Sequence, residues 1–167
     1  SNLKKKILSV VVSVYNEEQA LEECYTEMKR VLDTLSWDHE LIFVNDGSSD
    51  GSLEVLKALA SEDQKVKLIS FSRNFGHEAA MIAGLDYSTG DGVVCMDADL
   101  QHPPECIPDI LAKFEEGYQV INMVRTKNRT AGLVKNITSS GFYWLINRIS
   151  DVHFEANASD FFAVSRH

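Results

Sequence analysis

The sequence predicts an α/β fold, a mostly parallel sheet with helices on both faces. Three observations predict it. Short β-branched runs alternate with stretches of helical periodicity at least four times along 167 residues. The runs Ile7–Val14 and Val93–Met96 are short and rich in valine, as strands buried on both faces are. No internal repeat, linker or low-complexity segment interrupts the alternation, so residues 1–167 read as one domain.

Taken in order, Ile7–Val14 is the first and central strand. Asn16 is expected to cap the next helix, with Gln19 as capping-box partner and Glu17 and Glu18 at its positive end. Ala20, Leu21, Cys24, Met28, Val31, Leu32 and Leu35 recur at helical spacing and predict one face packed on the sheet. Leu41–Val44 is the second strand. Asn45–Gly51 is a turn-rich link into a helix with Leu53, Leu56, Leu59 and Ala60 as its buried stripe.

Val66–Phe71 is the third strand, and Ser72–His77 leads into a helix over Glu78–Tyr87. Its small residues Ala79, Ala80, Ala83 and Gly84 predict close packing on a strand or a ligand. Gly90 and Gly92 introduce the strand Val93–Met96. Pro104 opens a helix with Ile107, Ile110, Leu111 and Phe114 inward and Gly117 at its end. Gln119–Val124 reads as a strand, Arg125–Arg129 as a basic loop, Leu133–Ile149 as a helix and Asp160–Val164 as a last strand. A terminal strand as apolar as Phe161–Val164 needs a cover, so the expectation is a fragment of a longer protein.

Composition narrows the function. A net charge of −9 argues against a nucleic-acid binder. It also means that a phosphate-bearing substrate would need a cation. Cys24, Cys95 and Cys106 have no metal-like spacing and predict reduced thiols. No signal peptide and no apolar run near the ~18 residues of a membrane span are read, so a cytoplasmic location is expected.

The chemistry is expected where Val93–Met96 stops at Asp97-Ala98-Asp99. In open α/β sheets ligands bind at the carboxyl ends of the strands. Asp97, Asp99 and the Gln101 carbonyl form a hard-oxygen set suited to Mg²⁺ or Mn²⁺, and such an ion would hold a diphosphate. Alternatively, both aspartates are turn and cap residues before a helix near Pro104. Asp46, ending the second strand, can accept from a base N–H or a ribose hydroxyl, or serve as a turn residue before Gly47. Tyr15-Asn16-Glu17 stands where a G-x-G-x-x-G loop would follow the first strand, and no G-x-x-x-x-G-K-[ST] occurs. Dinucleotide dehydrogenases and P-loop NTPases are thereby excluded.

Four blocks taken together carry a more specific signal: Val12–Glu18, Val44–Gly51, Ser72–Glu78 and Asp97–Glu105. In this order they resemble family 2 glycosyltransferases of the GT-A fold, and within them the polyprenyl-phosphate branch that includes dolichol-phosphate mannose synthases. The resemblance implies an inverting, Mg²⁺- or Mn²⁺-dependent transfer of a sugar from a nucleoside diphosphate sugar, with UDP favoured over GDP. The implied acceptor is a polyprenyl phosphate or a glycan, in a bacterial cell-envelope setting. It implies Tyr15 and Glu17 in the nucleoside pocket, Asp46 at the base and Arg73 among the donor contacts. Asp97 would sit near ribose and metal, Asp99 and Gln101 on the metal, and Arg125 near phosphate. Asp160 aligns with the acidic residue on the acceptor side, although Ser159 and Phe162-Ala163 depart from the Gly-Asp-Phe-Arg-Leu pattern. His77 and His102 fall at motif positions and receive no role.

Any membrane association would come through C-terminal segments absent from this sequence, with the parent protein at the cytoplasmic face. Self-association stays open. The alternatives are a non-catalytic nucleotide-sugar-binding module, favoured by the altered Phe162-Ala163, and a nucleotidyltransferase. The latter is opposed by the lack of a Gly-rich basic loop after the first strand.

Overall fold

The computed structural model describes residues 4–100, 103–117, 120–122 and 162–165. The element order is β1 (Ile7–Val14), α1 (Leu21–Leu32), β2 (Asp38–Asn45), α2 (Ser52–Glu62), β3 (Val66–Ser70), α3 (His77–Tyr87), β4 (Gly92–Asp97), a 3-10 turn (Pro104–Cys106), α4 (Ile107–Glu115), β5 (Val120–Asn122) and β6 (Phe162–Ser165). The sheet order is β3-β2-β1-β4-β6-β5. Strands β1 to β4 are parallel, while β6 runs antiparallel to both β4 and β5. The expected α/β architecture is therefore present, with β1 central. The apolar strand expected to lack a cover lies inside the sheet, hydrogen-bonded along both edges, and Ala163 is fully buried. The predicted helix Leu133–Ile149 and the loop Arg125–Arg129 lie outside the described residues.

β1 is buried on both sides, and period two sorts its side chains. Leu8, Val10, Val12 and Val14 join the core made with α1, α2 and α4. Val11 points the other way, to a smaller core with Ile42, Val44, Ala80, Met81, Val93 and Cys95 under α3. The small residues of α3 permit that approach. A Cβ on Gly84 would stand 2.2 Å from Val11 Cγ1, so the helix backbone rests on the strand's side chains.

One expectation fails locally. α1 starts at Leu21 after Ala20, with no side-chain cap, and its first-turn acids are Glu22 and Glu23. Asn16 is drawn elsewhere: its backbone adopts φ +53°, and its side-chain oxygen accepts from the Ser49 N–H at 2.8 Å. Hydrogen bonding to the neighbouring loop replaces the local cap. In contrast, Ile107, Ile110, Leu111 and Phe114 are the buried stripe of α4, as expected, and Gly117 follows its end at φ +98°.

At the opposite edge from the strand ends, buried Glu40 closes the sheet. Its carboxylate accepts from Ser9 Oγ at 2.6 Å and from the Thr89 N–H at 2.7 Å, and Lys67 Nζ pairs with its other oxygen. Burial alone pushes the Glu40 carboxyl up. Lys67, Ser9 and Thr89 outweigh burial and hold it below the ordinary glutamate range. A folded-state pKa below the unfolded value contributes stability that is complete at neutral pH and is lost as pH falls through the folded value. Glu40→Gln should lower stability at pH 7 by about 1.5–3 kcal/mol, the worth of hydrogen bonds to a charged group. Chemical denaturation at pH 7 and below about pH 4 checks this: the gap between wild type and variant should narrow in acid.

Candidate active site

The strand order reverses direction at β1. The chain builds β2 and β3 on one side of it, then crosses through α3 to place β4 on the other. The carboxyl ends of β1 and β4 meet at this reversal, at the edge where open α/β sheets hold ligands. Tyr15 and Glu17 follow β1, Asp46 follows β2, Arg73 follows β3, and Asp97 ends β4 with Asp99 just beyond it. All six expected residues that are described share this edge. Gln101, Arg125 and Asp160 lie outside the described residues.

Two loops interlock beneath the edge. The Asn16 N–H donates to Ser48 Oγ at 3.0 Å, and the Glu17 N–H donates to Ser52 Oγ at 3.0 Å. The Glu18 carboxylate accepts from the Gly51 N–H at 2.7 Å. Glu17 and Glu18 thus tie the β1 loop to the start of α2 rather than acting at the end of α1. Tyr15 is left half exposed above them.

Asp46 has a defined structural task. It is 3% exposed, and its two carboxylate oxygens accept from the Phe75 N–H at 2.8 Å and the Gly76 N–H at 3.1 Å. It therefore anchors residues 72–76 across the top of β2. Gly47 makes room for this loop. Its φ is +67°, and a Cβ would fall 2.1 Å from the Arg73 carbonyl carbon and 2.3 Å from the Asn74 nitrogen. Arg73 itself is exposed, with its guanidinium 4.6 Å from the Phe75 ring centroid.

The anchored loop delivers His77, the first residue of α3, to the ends of β1 and β4. Ser13 and Asp97 are register partners on these strands. Ser13 Oγ donates to Asp97 Oδ1 at 3.0 Å and lies 2.8 Å from His77 Nδ1, which is itself 3.2 Å from Asp97 Oδ1. Sequence reasoning gave His77 no role and passed over Ser13. The one available signal was strand parity, which puts Ser13 on the α3 face with Val11.

Neither Asp97 nor Asp99 caps a helix, because Pro103 precedes the 3-10 turn and Cys106 precedes α4. The cap half of the alternative is thereby removed, while Ala98 and Asp99 do form a turn after β4. Asp99 is exposed, and Leu100 behind it takes φ +57°, a conformation costly for a branched side chain. The edge is acidic. Glu17 is pushed above the ordinary glutamate range, first by burial and then by the charges of Asp99 and Asp50. Among the described residues no group of three or more His, Cys, Asp or Glu side chains is placed to hold a metal ion.

An acidic edge at the switch point of an open α/β sheet marks a ligand-binding protein of the α/β class. The chain belongs to glycosyl transferase family 2, whose family model matches residues 9–165. It is 44% identical over 158 residues to the uncharacterized glycosyltransferase YkcC of Bacillus subtilis, covering 95% of this chain and 49% of that protein. It is 40% identical over 159 residues to the bactoprenol glucosyl transferase of Shigella phage SfX, covering 95% and 52%. The chain thus spans about half the length of the curated relatives it matches. Its fold matches the mannosyltransferase PcManGT from Pyrobaculum calidifontis, solved with GDP-Man and Mn²⁺, at TM-score 0.65 and 17% identity over 98% of this chain and 46% of that one. At that identity the likeness establishes the fold.

Gly47→Ala tests the interlocked loops. Positive φ and backbone overlap together should destabilise the protein by about 1–3 kcal/mol. Thermal unfolding reads the loss. Amide exchange should show reduced protection of the Phe75 and Gly76 N–H groups, which Asp46 now holds.

Proposed function

We propose that the protein transfers a sugar from a nucleoside diphosphate sugar, a UDP-sugar in preference to a GDP-sugar, to a polyprenyl phosphate, with inversion and with help from Mg²⁺ or Mn²⁺. The observation that carries this reading is the position of Asp97 and Asp99 at the end of β4, beside β1, where the strand order reverses. The lipid acceptor and the glucosyl donor are suggested by the likeness to the bactoprenol glucosyl transferase of Shigella phage SfX. A glycan acceptor is the coarser alternative.

The residues fit a hard divalent ion. Mg²⁺ takes one or two carboxylates and completes its shell with water and phosphate oxygens, so a protein cluster of three acids is not required. Asp99 is exposed at the edge, and Glu17 is raised first by burial and then by the charges of Asp99 and Asp50, the electrostatic part of which a cation would relieve. Asp97, Asp99 and Gln101 are assigned to the ion. When bound, it supplies Lewis-acid stabilisation of the charge growing on the departing diphosphate.

The chain's own residues supply position. Tyr15, half exposed at the end of β1, and Glu17 are assigned to the nucleoside, Asp46 to the base and Arg73 to the donor contacts. Arg125 is assigned to phosphate. Inversion requires the acceptor oxygen to approach the anomeric carbon opposite the leaving group. A phosphate monoester with a second pKa of about 6 is mostly ionised at neutral pH. Asp160 then has only to position that acceptor, whereas a sugar hydroxyl would need it as a base.

Calorimetric titration with UDP and GDP, in Mn²⁺ and in chelator, tests the donor site. Wild type should bind one nucleotide in a metal-dependent manner, and Asp99→Ala should weaken that binding at least about 10-fold. Equal affinity with and without metal would refute the metal assignment.

A further inference from the structure

Among the described residues, Ser13, His77 and Asp97 form a cluster in which only Asp97 has so far been given a role. Its members lie 64 and 84 residues apart in sequence and meet only because α3 starts over the junction of β1 and β4. The protons in it can be placed by counting. A serine hydroxyl has one proton. Given to Asp97 Oδ1 at 3.0 Å, it leaves Ser13 Oγ an acceptor toward His77 Nδ1 at 2.8 Å, so Nδ1 carries a hydrogen. The opposite assignment would set the bare Ser13 lone pairs and the Asp97 oxygen together with no proton between them. It would also leave Nδ1 unable to donate to Oδ1 at 3.2 Å. Whether neutral or charged, the imidazole is therefore an Nδ1–H donor.

The geometry points to Ser13 and His77 as positioning residues that fix the carboxylate of Asp97 for the donor diphosphate and its cation. Two groups stand at one oxygen, Oδ1, from two different elements: the Ser13 hydroxyl donates to it from the adjacent strand, and His77 Nδ1, bridged to it through Ser13, lies 3.2 Å away at the helix start. A carboxylate gripped on one oxygen from two sides cannot rotate about its terminal torsion without losing both contacts. Partners of this kind typically govern metal affinity and activity by about 10–100-fold. The grip extends further back, because Asp46 holds the Phe75 and Gly76 N–H groups just before His77. Asp46 thus sets where the imidazole stands. This inference rests on the donor-site reading proposed above.

The test uses UDP and GDP, with Mn²⁺ and with chelator, and the matching free nucleosides. Ser13→Ala and His77→Ala should each weaken Mn²⁺-dependent binding of the preferred nucleotide about 10–100-fold and leave nucleoside affinity unchanged. His77→Asn, which can present an N–H near the Nδ1 position, should recover most of the loss. In an Asp97→Asn background, Ser13→Ala should cause no further loss, since both act through one carboxylate. Nitrogen-15 NMR of wild type should show a protonated Nδ1 at His77.

Several outcomes overturn the inference. One is unchanged metal-dependent binding in Ser13→Ala, a variant that removes a single oxygen and should fold. Others are a parallel loss of nucleoside affinity, no recovery in His77→Asn, and an unprotonated Nδ1. A wild type that binds neither nucleotide in Mn²⁺ overturns the donor-site reading and this inference with it. Metal-dependent wild-type binding with indifferent Ser13 and His77 variants overturns this inference alone.

Discussion

The site depends on one constraint, the pairing of β1 with a parallel strand on each side. Parallel neighbours require crossovers, and right-handed crossovers that build in opposite directions from one strand must place their helices on opposite faces. Here α1 and α2 cover one face and α3 the other. The segments that leave β1 and β4 both lead to the α1 face, while α3 starts over the same strand ends from the opposite face, so the carboxyl ends of β1 and β4 are flanked from both sides before any polar side chain is considered. What the sequence adds is the lining: hydroxyl, imidazole and carboxylate where the strands end.

The loops over those strand ends are held by polar contacts rather than by apolar packing. Asn16, Glu18, Asp50 and Ser52 join the β1 loop to the start of α2, and Asp46 joins the end of β2 to the loop before α3. Hydrogen bonds to charged acceptors are short and directional, and each is worth about 1.5–3 kcal/mol. A loop fixed in this way can stay exposed to a ligand without a hydrophobic cover. The price is local strain: Asn16 and Leu100 both take left-handed backbone conformations at this edge.

Much of this was legible in the sequence. Uninterrupted apolar runs located β1 and β4, and helical spacing picked out the buried residues of α4 one by one. Acidic residues at strand ends pointed to the ligand edge. Less legible was everything that depends on where a crossover lands. Asn16 was expected to cap its own helix because a local rule covers the next few residues. Its actual partners lie 33 and 34 positions away. Asp46 looked like a turn residue or a base contact, and its burial under the loop before α3 follows from β3 delivering that loop across β2. Ser13 and His77 fall within the signature blocks, but nothing in those blocks assigned them a role. Parity fixed the face of Ser13, but only the tertiary path of α3 brings the imidazole to it.

The electrostatics of this edge make sense only together with those of the whole chain. A protein with net charge −9 has no general attraction for a diphosphate. The acidic edge adds to the difficulty, since Glu17 is raised by burial and then further by the charges of Asp99 and Asp50. The proposed cation would resolve both problems at one point, because it would be attracted by the acidic edge and would in turn attract the phosphates. The same logic explains why Asp97 should be restrained. An acidic edge free to rearrange would relax by rotating its carboxylates apart, and the contacts from Ser13 and His77 oppose that relaxation where the ion would be held.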